Sequence, residues 1–153
     1  MTTDTAPKAW SSIDVTQGEW AGWTIWSSDP FELHAGPFYS RREADGRWIS
    51  AFRAEAKHMN VDGFMHGGCL MTFADYALFN IAADAIRGTM AVTASLNCEF
   101  IDGAQVGDLV EASGEVIRAG RSMVFARGLV SVGGRPLLTF SGIIKKMQPR
   151  AAA

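Results

Sequence analysis

One segment of about twenty residues constrains this fold more than any other, because it reads as a helix with apolar side chains on nearly every side. Between residues 67 and 87 the apolar positions recur with the 3.6-residue period of a helix, and Gly88 follows as a C-terminal stop. A helix of this kind must be buried, so other elements have to wrap around it. The periodic positions are Leu70, Phe73, Ala74, Ala77, Leu78, Ile81 and Ala85, and Met71, Phe79 and Ala82 add apolar surface on other sides.

Six strand-like segments surround this helix in the sequence. Residues 38–42 and 48–53 precede it and are joined by a turn at Asp45-Gly46, while residues 90–100, 109–117, 122–132 and 137–146 follow it. Turns are expected at Ala119-Gly120 and at Gly133-Gly134. In the segment 90–100 apolar residues alternate with polar ones, which predicts one apolar face and one polar face. The pattern predicts an α+β domain in which one sheet wraps a single buried helix.

The chain is predicted to have three parts: an N-terminal extension over residues 1–37, the main domain over residues 38–147 and a disordered tail over residues 148–153. Within the extension, residues 1–9 are expected to form another tail, and residues 16–26 a short helix, because Trp20 and Trp23 are three residues apart. We interpret this region as a hydrophobic lid over the sheet in preference to a ligand-stacking surface. It contains four of the five tryptophans, Trp10, Trp20, Trp23 and Trp26.

Composition narrows the class of protein. A chain of 153 residues with a net charge of -2 fits one globular domain and argues against nucleic acid as the main partner. The N-terminus does not read as a secretory signal and no apolar stretch reaches membrane-spanning length, so a cytoplasmic location is expected and no membrane partner. Cys69 and Cys98 read as reduced core residues.

The sequence lacks the motifs that are typical of several other kinds of active site. His34, His58 and His66 have no metal-site spacing, so no metal is expected. The chain has neither a Gly-x-Ser-x-Gly motif nor a phosphate-binding or dinucleotide-binding glycine loop.

The segment from His58 to Asp75 combines a polar loop, a His-Gly-Gly helix start and a single carboxylate within an otherwise apolar helix. A buried carboxylate is costly unless it is paired or used. A glycine-rich helix start offers unpaired backbone N–H groups at the positive end of the helix dipole. Acyl transfer needs these two parts, one for the nucleophile and one for the oxyanion.

On these residues the chain resembles the hotdog-fold acyl-CoA thioesterases of the PaaI-like (phenylacetate-pathway) group over about residues 38–146. The resemblance implies a hotdog fold, with an antiparallel sheet around the long helix, and hydrolysis of an acyl-CoA to a carboxylic acid and free CoA. Coenzyme A would enter as part of the substrate, with no separate cofactor, and the chain would form a homodimer that pairs into a tetramer. The resemblance rests on Asn60, Gly63, His66-Gly67-Gly68 and Asp75, with support from the strand 92–101, Gly107-Asp108 and Gly120-Arg121.

The resemblance also implies roles for single residues. Asp75 would be the catalytic carboxylate, as nucleophile or as general base on water, and the Gly67 N–H would bind the thioester oxygen. Asn60 and His66 would orient the reacting groups, and Thr93 would place a hydroxyl near the carboxylate.

Several residues are candidates for binding the substrate. Gly68 is a candidate beside the thioester. The candidates for a pocket that takes an aromatic or medium-length acyl chain are Phe64, Met65, Met71, Tyr76 and Phe79. Arg121 is a candidate for the CoA phosphates together with Arg118, Lys145 and Lys146.

Each site residue also has a purely structural interpretation. Asp75 would cap a loop or pair with an arginine in a dimer interface, and His66 would cap the helix. Gly67 and Gly68 would allow close packing, a role that is compatible with oxyanion binding. The remaining structural roles are a turn for Asn60, the polar face of a strand for Thr93, core packing for Phe64 and Met65, and solvated surface charge for Arg121.

Helix geometry tests the catalytic interpretation independently of the resemblance. Gly67 and Asp75 are eight residues apart, which is about 12 Å along a helix. One helix cannot bring both groups to the same carbonyl carbon at contacts of about 3 Å. If both groups are catalytic, a second copy of the helix must run antiparallel nearby, and this predicts a two-fold dimer with two composite sites.

Two other functions remain open at the level of sequence. A hotdog hydratase or dehydratase would act on acyl thioesters, but such relatives usually carry His-Phe-Pro, whereas His66 precedes two glycines. A non-catalytic acyl-CoA-binding module would keep the fold, although it would not need Asp75.

Overall fold

The computed structural model describes residues 11–147. The chain begins with strands β1 (Ser12–Asp14) and β2 (Thr24–Trp26), helix α1 (Pro30–Ala35), and strands β3 (Tyr39–Arg42) and β4 (Trp48–Arg53). A 3-10 turn (Ala56–His58) leads to helices α2 (Gly67–Ile81) and α3 (Ala83–Ile86). Four long strands follow: β5 (Ala91–Phe100), β6 (Leu109–Ala119), β7 (Met123–Val132) and β8 (Arg135–Lys146).

Within residues 11–147 the strands form one eight-stranded sheet in the order β1-β2-β3-β4-β6-β7-β8-β5, with antiparallel neighbours throughout. Helix α2 packs against β4, β5, β6, β7 and β8, so the sheet curves around it. The predicted architecture, one antiparallel sheet wrapped around a buried helix, is confirmed. Strand β5 lies at an edge of the sheet.

Helix α2 is the centre of the core. Phe73, Ala77 and Leu78 are fully buried, and the Phe73 ring lies 4.7 Å from Phe52 and 5.3 Å from Phe38 between ring centroids. Gly88 has the predicted positive φ of 71°.

The single helix predicted over residues 67–87 is interrupted at Ala82, where α2 ends before α3 begins. Apolar spacing did not reveal the break, because Ala82 is buried and Ala85 and Ile86 also pack against the core.

The helix predicted over residues 16–26 is wrong. Strands β1 and β2 form an antiparallel hairpin there, with Ser12 paired to Trp26. Gly18 and Gly22 have φ values of 75° and 84°, which are incompatible with a right-handed helix.

The helix in the extension is α1, and its start signal was overlooked. The Asp29 side chain accepts hydrogen bonds from the backbone N–H groups of Phe31 and Glu32, both at 3.0 Å, and Pro30 occupies the first turn. Asp-Pro-x-Glu is a typical helix start.

The described tryptophans of the extension pack on protein groups, and the interpretation of this region as a lid stays a prediction. The Trp20 ring stacks on Tyr39 at 4.1 Å, the Arg41 guanidinium lies 4.5 Å from the Trp23 ring, and Trp26 Nε1 donates to Asn80 Oδ1 at 3.3 Å.

The extension shares the sheet of the main domain, since Thr24 of β2 pairs with Ser40 of β3. The boundary at residues 37 and 38 stays a prediction. Trp10 and the tails predicted over residues 1–9 and 148–153 lie outside the described residues.

The alternation predicted for residues 90–100 is broken by a β-bulge between Thr93 and Ser95. Before the bulge Ala91 and Thr93 lie on the helix side, and Val92 is 44% exposed. A bulge adds one residue and so reverses which parity faces the core. This reversal places a threonine, rather than an apolar side chain, against α2.

The two cysteines are partly buried in the domain. Cys69 and Cys98 are free thiols that pack against the core, as expected. Among residues 11–147, the helices are all too short or too polar to cross a membrane.

Candidate active site

The loop before α2 is organised by Asn60. Its side-chain Oδ1 accepts hydrogen bonds from the backbone N–H groups of Asp62 at 3.0 Å and Phe64 at 3.1 Å. This is the turn role considered for Asn60. The Nδ2 group donates no hydrogen bond to any residue between 11 and 147, so two amide donors remain for a ligand.

His66 is the N-cap of α2. Its Nδ1 accepts a hydrogen bond from the Gly68 N–H at 2.9 Å. Because Nδ1 accepts, the neutral ring carries its proton on Nε2, which leaves an N–H donor on an exposed side chain. The capping role is therefore shown, and it fixes the tautomer that an orienting role would need.

Gly67 begins the helix with an unpaired donor. Its N–H makes no hydrogen bond within the described part of the chain, as expected for the first turn of a helix. A Cβ on Gly67 would lie 3.2 Å from Cε1 of Phe100, and one on Gly68 would lie 3.0 Å from Nδ1 of His66. The two glycines therefore allow Phe100, at the end of β5, and the His66 ring to lie close to the helix start.

Asp75 lies in the middle of α2 and is partly buried. The Thr93 hydroxyl donates to its Oδ1 at 2.6 Å. Burial raises the pKa of the Asp75 carboxyl, the hydrogen bond from Thr93 opposes that increase, and the negative charge of Asp29 adds to it. Asp75 forms no ion pair among residues 11–147, so the arginine pairing considered for it is not seen within one chain.

A pocket of about 440 Å³ opens at this carboxylate. Asp75 and Thr93 are both in its wall, so the structure brings these two predicted residues together. The other lining residues are Asp29, Phe31, Glu32, Met71, Thr72 and Leu96.

Sequence reasoning missed Glu32 as a pocket residue. Burial, the charge of Asp29 and the charge of Asp75 together raise the pKa of Glu32 to about 7. The Asp29-Pro30 helix start was a signal that could have located α1. Its position beside α2 could not be read from the sequence, because that position depends on packing between distant segments.

The structure places the other predicted site residues away from this pocket within one chain. Asn60, His66, Gly67 and Gly68 lie at the start of α2, as the helix arithmetic requires. Phe64 is 47% exposed, with its side chain against Gly103.

Met65 and Arg121 lie in different surroundings. Met65 is 4% exposed and belongs to the core, where its N–H donates to the Ala104 carbonyl at 2.8 Å. Arg121 is exposed in the turn between β6 and β7, next to Gly120, whose carbonyl accepts from Lys146 Nζ at 3.1 Å.

Comparison with known proteins identifies the family of this site. The model of the Thioesterase superfamily matches residues 62–138, which include the start of α2, Asp75 and Thr93. A Pseudomonas aeruginosa protein named "Putative esterase PA0474" is 33% identical over 120 residues, which are 78% of this chain and 90% of that protein.

Solved structures share the fold. A mutant of the phenylacetic acid degradation protein PaaI from Thermus thermophilus is 28% identical with a TM-score of 0.67, covering 78% of this chain and 100% of that one. A hypothetical thioesterase protein of Streptococcus pneumoniae, solved with coenzyme A, is 18% identical with a TM-score of 0.68, covering 78% and 93% of the two chains. The chain therefore belongs to the thioesterase superfamily and is a hotdog-fold enzyme of the thioester-hydrolysing class.

Proposed function

We propose that this enzyme hydrolyses acyl-CoA thioesters to a carboxylic acid and free CoA, using Asp75 of one subunit and the Gly67 N–H of another. The observation behind this proposal is a partly buried carboxylate that is held by Thr93 and opens into a pocket. The coenzyme A bound to the Streptococcus relative supports CoA as the carrier of the acyl group.

Asp75 supplies the reactive oxygen. Thr93 holds Oδ1, which leaves Oδ2 to attack the thioester carbon or to remove a proton from water. In the first route an acyl-aspartyl anhydride forms, CoA leaves as the thiolate and takes a proton, and water then cleaves the anhydride. In the second route Asp75 takes a proton from the water that adds to the thioester carbon, and the tetrahedral intermediate then expels CoA as the thiolate, which takes up that proton. Removal from water makes the carboxylate a stronger base, as its raised pKa indicates.

The start of α2 supplies the oxyanion site. The unpaired Gly67 N–H and the positive end of the helix dipole stabilise the negative charge that develops on the thioester oxygen. The Nε2–H of His66 and the Nδ2 amide of Asn60 are further donors at this end of the helix. They orient the thioester, the water or the departing thiolate.

Strand β5 supports a dimer that brings together two half-sites, the Asp75 carboxylate of one subunit and the Gly67 N–H of the other. It is a ten-residue edge strand, and exposed apolar side chains lie along and just before it, including Met90 at 54%, Val92 at 44% and Phe100 at 54%. An uncovered edge strand exposes unpaired backbone N–H and C=O groups, and it therefore tends to pair with another strand. Pairing with β5 of a second copy covers it and continues the sheet.

The positions of the two half-sites fit this pairing. Asp75 contacts Thr93 near the start of β5, and Gly67 lies against Phe100 at its end. In an antiparallel two-fold pair with its axis between residues 96 and 97, Thr93 lies opposite Phe100 of the partner subunit. That arrangement brings Asp75 of one copy toward Gly67 of the other.

Basic residues near the β6–β7 turn fit the CoA phosphates. Lys145 pairs with Val92 of β5, next to Thr93, and Arg121 lies in the turn beside the Lys146 contact. Arg118 lies near the end of β6, opposite Phe125 of β7.

The remaining predicted residues lie near the start of α2. In the dimer Phe64 borders the shared site, Gly68 shapes the end of the site that binds the oxyanion, and Met65 supports the loop before α2 from the core.

The outer face of the sheet supports assembly of two dimers into a tetramer. Met123, Phe125 and Leu129 follow one another at two- and four-residue intervals on β7 and are 40%, 38% and 38% exposed. Contact between two such faces would bury these apolar side chains.

A panel of acyl-CoAs with different acyl groups tests the function. We expect free thiol to appear with at least one of them, together with one equivalent of carboxylic acid. Binding of acyl-CoA without thiol release would contradict hydrolysis and favour a binding module. Addition of water to an enoyl-CoA without thiol release would instead favour the hydratase.

Substitution of Thr93 tests how the carboxylate is held. Thr93→Val keeps the shape but removes the hydrogen bond that lowers the Asp75 pKa. We expect the Asp75 pKa to rise, and the acidic limb of the kcat–pH profile to move toward higher pH. A shift of one pH unit would reduce kcat about tenfold on that limb and little at high pH.

Thr139→Val is the matched control for Thr93→Val, since its hydroxyl also donates to a strand carboxylate, that of Glu99. We expect its kcat–pH profile to match that of the wild type. An unchanged profile in Thr93→Val would contradict the role given to the hydroxyl.

A further inference from the structure

Glu32 brings a second carboxyl group into the pocket that contains Asp75. Helix α1 places it there, and the Asp29 cap fixes the first turn of that helix. The Glu32 side chain accepts no hydrogen bond and forms no ion pair with any residue between 11 and 147. A partly buried carboxyl without a protein partner is available to a ligand in the pocket.

On the pocket side, every ionisable side chain near Glu32 is acidic. Asp29 precedes it on the same segment, and Asp75 faces it from α2. Neither Thr93 nor Leu96, the lining residues from β5, is ionisable, and no lysine, arginine or histidine lines the pocket within the described residues.

The other titratable groups near α1 lie elsewhere on the helix. His34 is in its last turn, and Lys57 Nζ donates to the carbonyls of His34 and Gly36 beyond the helix end. His58 Nε2 contacts the Ala35 carbonyl at 2.8 Å. From α2, buried Tyr76 is also close enough for the charge of Glu32 to help raise its pKa.

The apolar part of the wall indicates which part of the substrate lies there. Phe31, Met71 and Leu96 line the pocket together with the carboxyls. The CoA phosphates are excluded by the negative charge, and an acyl chain fits the apolar surface. Beyond the thioester carbon, the acyl group would therefore meet Glu32.

We propose that Glu32 selects the acyl group, so that the pocket favours neutral acyl groups carrying a hydroxyl at their far end and rejects acyl groups that end in a carboxylate. This inference rests on the proposed thioesterase function. A terminal hydroxyl donates a hydrogen bond to Glu32, whereas a terminal carboxylate would lie beside two or three acidic groups without a cation.

Three acyl-CoAs of equal carbon number test the proposal: hexanoyl-CoA, 6-hydroxyhexanoyl-CoA and adipoyl-CoA. For the wild type at pH 8 we expect kcat/KM for adipoyl-CoA to be lower than for hexanoyl-CoA by about tenfold or more. The value for 6-hydroxyhexanoyl-CoA should exceed that for hexanoyl-CoA by about fivefold or more, and equal values would contradict the preference for a hydroxyl. In Glu32→Gln the adipoyl penalty should shrink about tenfold, because the amide is neutral and still forms hydrogen bonds.

The pH dependence of the wild type is a second readout that needs no variant. Glu32 has a pKa raised to about 7, so it is largely neutral at pH 6 and ionised at pH 8. The hexanoyl-to-adipoyl ratio of kcat/KM should therefore increase from pH 6 to pH 8. The need for an ionised Asp75 in catalysis applies to both substrates and cancels in the ratio, whereas the repulsion between Asp75 and the adipoyl carboxylate is present in the wild type and in Glu32→Gln alike. In Glu32→Gln the change of the ratio with pH should therefore be smaller than in the wild type.

Glu43→Gln is the matched control, since Glu43 pairs with Arg41 outside the pocket and its loss should leave all ratios unchanged. Equal ratios in wild type and Glu32→Gln would overturn the inference. An equal loss for all three substrates in Glu32→Gln would also overturn it, because Glu32 would then act on the common CoA portion. Absence of thiol release by the wild type from any acyl-CoA would instead refute the proposed function, and this inference with it.

Discussion

Replacement of Asp75 by asparagine is expected to reduce kcat for acyl-CoA hydrolysis by about 1,000-fold, with little change in substrate binding. An asparagine has nearly the same shape and can accept the Thr93 hydrogen bond, but it is neither a nucleophile nor a base. Thiol release would give kcat, and calorimetric titration with a non-hydrolysable thioether analogue would give Kd.

Stability provides an internal check on Asp75→Asn. Burial raises the pKa of Asp75 in the folded state, so the folded protein loses stability as pH rises from the unfolded pKa toward the folded one. Asparagine removes this cost, and Tm at pH 8 should be equal to or above that of the wild type. Loss of activity together with an undiminished Tm would exclude unfolding as the cause.

Asp84→Asn is the control for removal of an acidic side chain. Asp84 is exposed and pairs with Arg42 and Arg87, so its substitution should leave kcat unchanged. Activity of Asp75→Asn within tenfold of the wild type would contradict the catalytic role of Asp75.

Removal of the Gly67 N–H is expected to reduce kcat by about 100- to 1,000-fold, the usual effect of losing one oxyanion donor. Gly67→Pro achieves this, because proline has no N–H and is well tolerated at the first position of a helix. His66 has φ -61° and ψ 133°, an extended conformation that suits the residue before proline.

Gly67→Ala separates the missing donor from the added bulk. It keeps the N–H and introduces the same Cβ, which meets the edge of the exposed Phe100 ring at 3.2 Å. A small loss in Gly67→Ala and a large one in Gly67→Pro would support the oxyanion role. Equal losses would show that steric contact with Phe100 is the cause.

Combining the two inactive chains tests the composite site. Co-expression with two different tags would allow purification of a heterodimer of Asp75→Asn and Gly67→Pro subunits. One of its two sites then contains both substitutions and the other contains neither, so about half of the wild-type kcat per dimer should return. Activity as low as in the single variants would place both groups in one chain and refute the shared site.

The described fold shows what local patterns can and cannot indicate. The apolar periodicity around Phe73 and Leu78 predicted the buried helix, and the glycine turns predicted the hairpins of the sheet. The spacing of Trp20 and Trp23 led to the wrong prediction of a helix, because a turn with positive-φ glycines also brings together residues that are three apart. The break at Ala82 was hidden, since small apolar residues continue on both sides of it.

By itself, the sequence determined the central helix, the strands around it and the motif from Asn60 to Asp75, and helix length showed that one chain cannot bring Gly67 and Asp75 to the same carbonyl carbon. These follow from spacing along the chain, which sets periodicity and distance. The tertiary structure decided that Glu32 lies in the pocket of Asp75, and it shows the contact between Thr93 and Asp75 that the resemblance implied. A bulge in β5 and the packing of α1 beside α2 produce those contacts, and both depend on segments distant in sequence. Contacts of this kind cannot be predicted from the spacing of residues along the chain.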